Sequence, residues 1–192
     1  MSRYTITLIN STTSEKERLE LVKRVVDYFS ENNAYSFTLT PRVIITLSSG
    51  INREIHERIY SEISSMNSNI RIASVIHNIP ALALNKASRI LASQRFYYEE
   101  GVEEEYLLGY FKIRELGGYG ILDEYTYRKN ILYELLNLLE YTGSLPLKID
   151  LNGVLAVLSE KSLDISSILG GRVEVKLARS RIVELALREV FS

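Results

Sequence analysis

The chain has 192 residues, 46% hydrophobic and 24% charged, with 24 acidic against 23 basic side chains and a net charge of -1. That balance describes an ordinary globular protein and argues against a dedicated nucleic-acid binder, which carries a basic stripe. The absence of Cys removes disulfide frameworks, thiolate zinc sites and thiol catalysis at once.

The length allows one domain or two small ones. Apolar runs extend over only a few residues, short of the roughly 18 to 20 that a bilayer span needs, and the N-terminus lacks the basic-then-apolar order of a signal peptide. A cytoplasmic protein with neither a membrane nor a nucleic-acid partner is therefore expected.

In chain order, Tyr4 to Asn10 alternates and is rich in β-branched residues, which predicts a strand. Ser14 with Glu17 three residues later forms a capping-box pattern. Leu19, Val22, Val25, Val26 and Phe29 follow at helical spacing. Strands are predicted at Tyr35 to Leu39 and Val43 to Leu47, joined around Thr40-Pro41. A helix carrying Ile51, Ile55, Ile59 and Ile63 comes next, then a strand from Asn69 to Ile76. A third helix opens at Pro80, with Leu82, Leu84, Ala87, Ile90 and Leu91.

The segment from Arg95 to Glu105 is aromatic and acidic and reads as a solvated connection, in preference to an acidic binding site. Beyond it the order repeats. Leu107 to Leu116 is a predicted strand, and Asp123 to Tyr141 a helix with Leu132, Leu135, Leu136 and Leu139. Leu147 to Leu158 is a hairpin turning at Asn152-Gly153. A short helix (Ser162 to Leu169), a strand (Arg172 to Leu177) and a closing helix (Arg181 to Phe191) complete the chain.

Two copies of one unit thus stand in tandem. The predicted fold is α+β: two ferredoxin-like βαββαβ modules, residues 1 to 94 and 106 to 192, each an antiparallel sheet with helices on one face, joined by residues 95 to 105.

From Ser48-Ser49-Gly50-Ile51-Asn52 onward the sequence resembles archaeal GTP cyclohydrolase III. The shared features are the Gly50-Ile51 corner, His56, Arg58-Ile59, and Pro80 with Ala83 and Ala87. The resemblance covers roughly residues 42 to 92 and is architectural elsewhere. It implies two tandem nucleotidyl-cyclase-like modules and a Mg-dependent enzyme that opens the guanine ring of GTP. Such chemistry needs carboxylates at the end of the first strand and in the hairpin of a module, to hold metal ions against the triphosphate.

Those carboxylates are largely missing. In the first module the strand end reads Leu8-Ile9-Asn10-Ser11 and Arg42 stands at the hairpin position. In the second they read Lys112-Ile113-Arg114-Glu115 and Leu151-Asn152-Gly153-Val154. The Asp residues are at 27, 123, 150 and 164, none at a strand end of the first module.

What survives lies in the second module. Glu115 and Asp150 are the candidate metal ligands, with Mg as the cofactor the resemblance admits. Gly117, Gly118 and Gly120, followed by Arg128 and Lys129, are the candidate nucleotide-binding set, since freed backbone N–H groups near a helix start can cradle phosphate. The competing reading is that the glycines serve a turn and the two acids are solvated surface charges. His56 and His77 stand without a second ligand at metal spacing and read as structural or surface residues. The tyrosines gathered between Tyr97 and Tyr133 read as packing or interface residues before a base-stacking pocket.

The functional expectation is a catalytically degenerate GTP cyclohydrolase III-like protein that binds a purine nucleotide or a partner and acts in regulation or assembly, as a homodimer or higher homo-oligomer. The alternatives are an active purine-ring-opening hydrolase and a purely structural oligomerisation module.

Overall fold

A computed structural model of the protein describes residues 1–67, 69–117 and 123–192. Gly118 and Gly120 of the predicted glycine loop lie outside the described residues. The chain forms two compact units. Met1–Asn78, Leu82–Glu105 and Arg181–Glu184 make the first; Ile79–Ala81, Tyr106–Ser180 and Leu185–Ser192 make the second.

Unit 1 runs β1 (Ser2–Leu8), α1 (Glu15–Glu31), β2 (Tyr35–Thr40), β3 (Val43–Leu47), α2 (Arg53–Met66), β4 (Arg71–His77), α3 (Pro80–Leu91) and β5 (Phe96–Tyr98). Its sheet order is β2-β3-β1-β4-β5. β1 sits between β3 and β4, antiparallel to both, so that Ile6 stands opposite Ile45 on one side and Ala73 on the other.

Caps define the helix starts. Ser14 accepts the Glu17 amide at 3.3 Å and Asn52 accepts that of Ile55 at 3.0 Å. The Glu17 carboxylate does not complete the capping box, because it takes Asn67 Nδ2 at 2.9 Å instead. α1 buries Val25 and Phe29 of the predicted stripe, with Val22 and Val26 half-buried, but Leu21 takes the inward place expected of Leu19, which is exposed. Phe29 joins Ile44, Ile59 and Ile72 in the buried core of the unit, each such side chain contributing about 1.5–3 kcal/mol on full burial.

Unit 2 repeats the order with β6 (Tyr106–Ile113), α4 (Glu124–Thr142), β7 (Leu145–Asp150), β8 (Gly153–Val157), α5 (Ile165–Leu169), β9 (Val173–Ser180) and α6 (Val183–Phe191). Its antiparallel sheet has the order β7-β8-β6-β9, matching the first four strands of unit 1. The predicted α+β class and ferredoxin-like modules are thus the observed architecture. α4 buries Ile131, Leu135 and Leu139 against Phe111 and Val154, while the end of α6 lies over the opposite face, with Phe191 on Tyr110 at 5.0 Å. Among the described residues no helix is long and apolar enough to cross a membrane.

Two local readings change. The hairpin turns at Leu151-Asn152, where Asp150 Oδ1 accepts the amides of Asn152 and Gly153 at 2.7 and 3.2 Å. Gly153 already belongs to β8, and a Cβ there would meet the Phe111 carbonyl oxygen at 2.1 Å, so close approach to β6 demands the glycine.

The acidic segment is also more than a solvated connection. Phe96–Tyr98 is a strand parallel to β4, and the glutamates that follow reach cations on other elements. Glu99 meets Lys86 at 2.5 Å, Glu100 meets Arg53 at 2.7 Å, and Glu103 pairs with Arg3. A charge run reads as solvated when its partners, distant in sequence, are invisible.

Candidate functional site

The strand end of unit 2 opens into a groove of about 400 Å³ lined by Lys112, Ile113, Arg114, Glu115, Arg128, Asn152 and Glu174. A second hollow of about 240 Å³ is lined by Tyr110, Lys112, Glu174, Lys176, Val190 and Phe191. Lys112 and Glu174 line both, so the two adjoin at this cross-strand pair. β-register explains the set. Lys112 stands opposite Glu174 and Tyr110 opposite Lys176, and residues two apart on a strand share a face.

One end of this groove is aromatic, with Tyr110 and Phe191 tilted at 50°. Burial, with a smaller push from the Asp150 carboxylate, raises the Tyr110 hydroxyl pKa above its ordinary value, so it stays a neutral donor at physiological pH. The rest is cationic. Lys112, Arg114 and Lys176 face Glu115 and Glu174, while the fourth cation of the lining, Arg128, is already paired with Glu124. Lys112, Arg114, Glu115 and Lys176 make no ion pair among the described residues.

Of the predicted site residues, Glu115 and Arg128 meet in the groove. Asp150 does not line it; one of its oxygens holds the hairpin turn and the other lies 4.0 Å from Lys148. Lys129 lies over the Tyr133 ring, 5.8 Å from its centre. Gly117 is exposed with open space around it. The start of α4 already holds the chain's own carboxylates. Asp123 takes the Thr126 amide at 2.9 Å, which lowers its pKa, and Glu124 takes the Leu116 amide at 2.9 Å and Arg128 Nε at 2.6 Å.

The donor set does not fit Mg²⁺, which demands oxygen ligands in near-octahedral geometry. Among the described residues no three His, Cys, Asp or Glu side chains converge on one point. Guanidinium groups stand at the carbonyls instead. Arg128 donates to the carbonyls of Ile113 and Leu151 at 3.3 and 3.4 Å. In unit 1, Arg42 donates to those of Asn10 and Thr13, and Arg18 to that of Pro41 at 3.3 Å. Strand end and hairpin are bridged by arginine in both units.

Unit 1 carries a different polar cluster, sealed inside its core. Arg3 is 1% exposed, pairs with Glu103, donates to Ser74 Oγ at 3.1 Å and lies over the Tyr98 ring at 3.9 Å. His56 Nδ1 lies 2.9 Å from the Asn52 carbonyl, so it carries the proton and Nε2 accepts. The Thr5 hydroxyl lies within hydrogen-bond distance of three groups, Nε2 at 2.9 Å, Ser48 Oγ at 2.8 Å and Ser74 Oγ at 3.0 Å. Thr5 and His56 are both fully buried.

Sequence reasoning missed Tyr110, Lys112, Glu174, Lys176 and Phe191. The available signal was period-two alternation on β6 and β9, which puts a charged row opposite the apolar one.

No protein-family model matches the chain, and no curated protein matches it. Two solved structures have a weak likeness. An unknown protein from Galdieria sulphuraria is 10% identical over 93% of this chain and 98% of its own, with a TM-score of 0.31. A bacterial light-regulated adenylyl cyclase is 12% identical over 100% of this chain and 82% of its own, with a TM-score of 0.32. At these scores neither likeness bears on function.

Proposed function

We propose that the protein is a catalytically degenerate relative of GTP cyclohydrolase III that binds a purine nucleotide in the unit 2 groove and acts through that binding in regulation or assembly. The observation that carries this reading is an aromatic hollow adjoining a cationic strand end, with Lys112 and Glu174 lining both. A planar base fits over Tyr110 and Phe191, and phosphates meet Lys112 and Arg114. Arginine at the strand end and hairpin of each unit, in place of clustered carboxylates, supports binding without ring opening.

The enzyme reading keeps one point in its favour, the Glu115 carboxylate in the groove, which makes no ion pair among the described residues. Incubation with GTP and Mg²⁺, followed by purine absorbance and equilibrium dialysis, separates the two. Bound GTP with unchanged absorbance is expected. Ring opening that disappears in Glu115→Ala would establish the enzyme, and absence of both binding and turnover would leave a structural module.

A further inference from the structure

The charges lining the groove have the sign that a divalent cation needs least. A Mg²⁺ ion entering it would lie among Lys112, Arg114 and Lys176, against Glu115 and Glu174, with Arg128 paired to Glu124. Asp150, the second predicted ligand, is committed to its own turn. We infer that the groove binds its nucleotide free of metal, its lysines and arginines neutralising the phosphates themselves, and that Mg²⁺ competes with this binding instead of assisting it.

This inference rests on the groove being the nucleotide site and adds the form in which the ligand is taken. Free nucleoside triphosphate carries two more negative charges than its Mg²⁺ complex, so a cationic groove attracts it more strongly. Bidentate guanidinium contact to phosphate oxygens is available from Arg114, whose side chain has no partner among the described residues. Arg128 is less free, since Glu124 and two carbonyls hold it, so it fixes the shape of the site while Lys112, Arg114 and Lys176 meet the ligand.

Calorimetry with GTP, in EDTA and separately in excess Mg²⁺, tests this on the full chain. Affinity in EDTA is expected to be about twofold to tenfold tighter than in Mg²⁺. Lys112→Ala and Arg114→Ala should each weaken GTP by about twofold to fivefold. Both residues are exposed and make no ion pair among the described residues, so the variants should fold, and Lys176→Ala provides a third reading. Inorganic pyrophosphate should displace GTP, and guanosine should do so poorly.

Binding that requires Mg²⁺ would overturn the inference and leave the nucleotide-binding reading standing. Guanosine competing as well as GTP, or affinity indifferent to all three substitutions, would also overturn it. Absence of GTP binding in both buffers would remove the proposed function and this inference together.

Discussion

Acidification from pH 7.5 to 5.0 is expected to destabilise unit 1 through His56. The ring is fully buried, with its centre 5.6 Å from Phe29 and 5.0 Å from Tyr98. Burial, assisted by the Arg3 charge and opposed by the Asn52 carbonyl, pushes its pKa down from 6.5 to about 4. In the unfolded chain the same ring takes a proton near pH 6.5. Between those values the unfolded state binds more protons than the native one, so stability is lost as the pH falls through the window and is unaffected above it. The slope approaches about 1.4 kcal/mol per pH unit, and the loss at pH 5.0 comes to about 2 kcal/mol. Carboxyls with lowered pKa values, such as Glu99 and Asp123, withdraw their contribution only below about pH 4.5, outside this range. The chain has two histidines, so proton NMR should resolve both ring signals, one of them still neutral at pH 5. Urea unfolding at the two pH values would then be compared between the wild type and His56→Gln. The same loss in the variant, or none in the wild type, would refute the reasoning.

Arg3→Leu should cost about 3–5 kcal/mol in urea unfolding, because Glu103 is left mostly buried without its partner. Adding Glu103→Leu should recover part of that cost. Gly153→Ala should cost about 3 kcal/mol through its collision with the Phe111 carbonyl, whereas Gly171→Ala, which meets open space, should stay within about 0.5 kcal/mol of wild type. Asp123→Ala removes the cap that holds the Thr126 amide and should lower the melting temperature, at a cost of about 1 kcal/mol.

Element type and order were legible because they depend on local periodicity. The alternation of Tyr4 to Leu8 and the helical spacing around Leu135 survive any tertiary arrangement. On α1 the spacing places Val25 and Phe29 correctly, but Leu19 and Leu21 both fit a helical face with them, and only tertiary packing selects Leu21. β5 escaped notice because three residues carry no period, and its place is set by parallel pairing with β4. The groove was half legible. Glu115 and Arg128 follow from strand-end logic, but Lys112, Glu174 and Phe191 reach it from elements far apart in sequence.

The two units show which features the fold requires. The bonds from the Ser48 amide to the Arg3 carbonyl at 3.3 Å and from the Leu158 amide to the Leu107 carbonyl at 2.7 Å mark equivalent positions. Register then aligns Thr5 with Gly109 and Ser74 with Leu177. Unit 2 fills this region with Leu158, whose Cδ1 lies 2.5 Å from where a Cβ on Gly109 would stand. Unit 1 fills it with hydroxyls, an imidazole and a guanidinium, and leaves Thr7 Oγ1 buried without a partner. A leucine therefore serves the scaffold at this position, the buried hydroxyls of unit 2 lying instead at Thr142, Ser144, Ser159 and Ser162, and the charged cluster of unit 1 adds registration. A one-residue slip of β1 would carry Arg3 away from Glu103 and bury its charge unpaired, a penalty of several kcal/mol that an all-leucine core does not impose. Glu103 also accepts the Gly50 amide at 2.6 Å, so the same pair fixes the chain just before it enters β6, the strand that carries Tyr110 and Lys112.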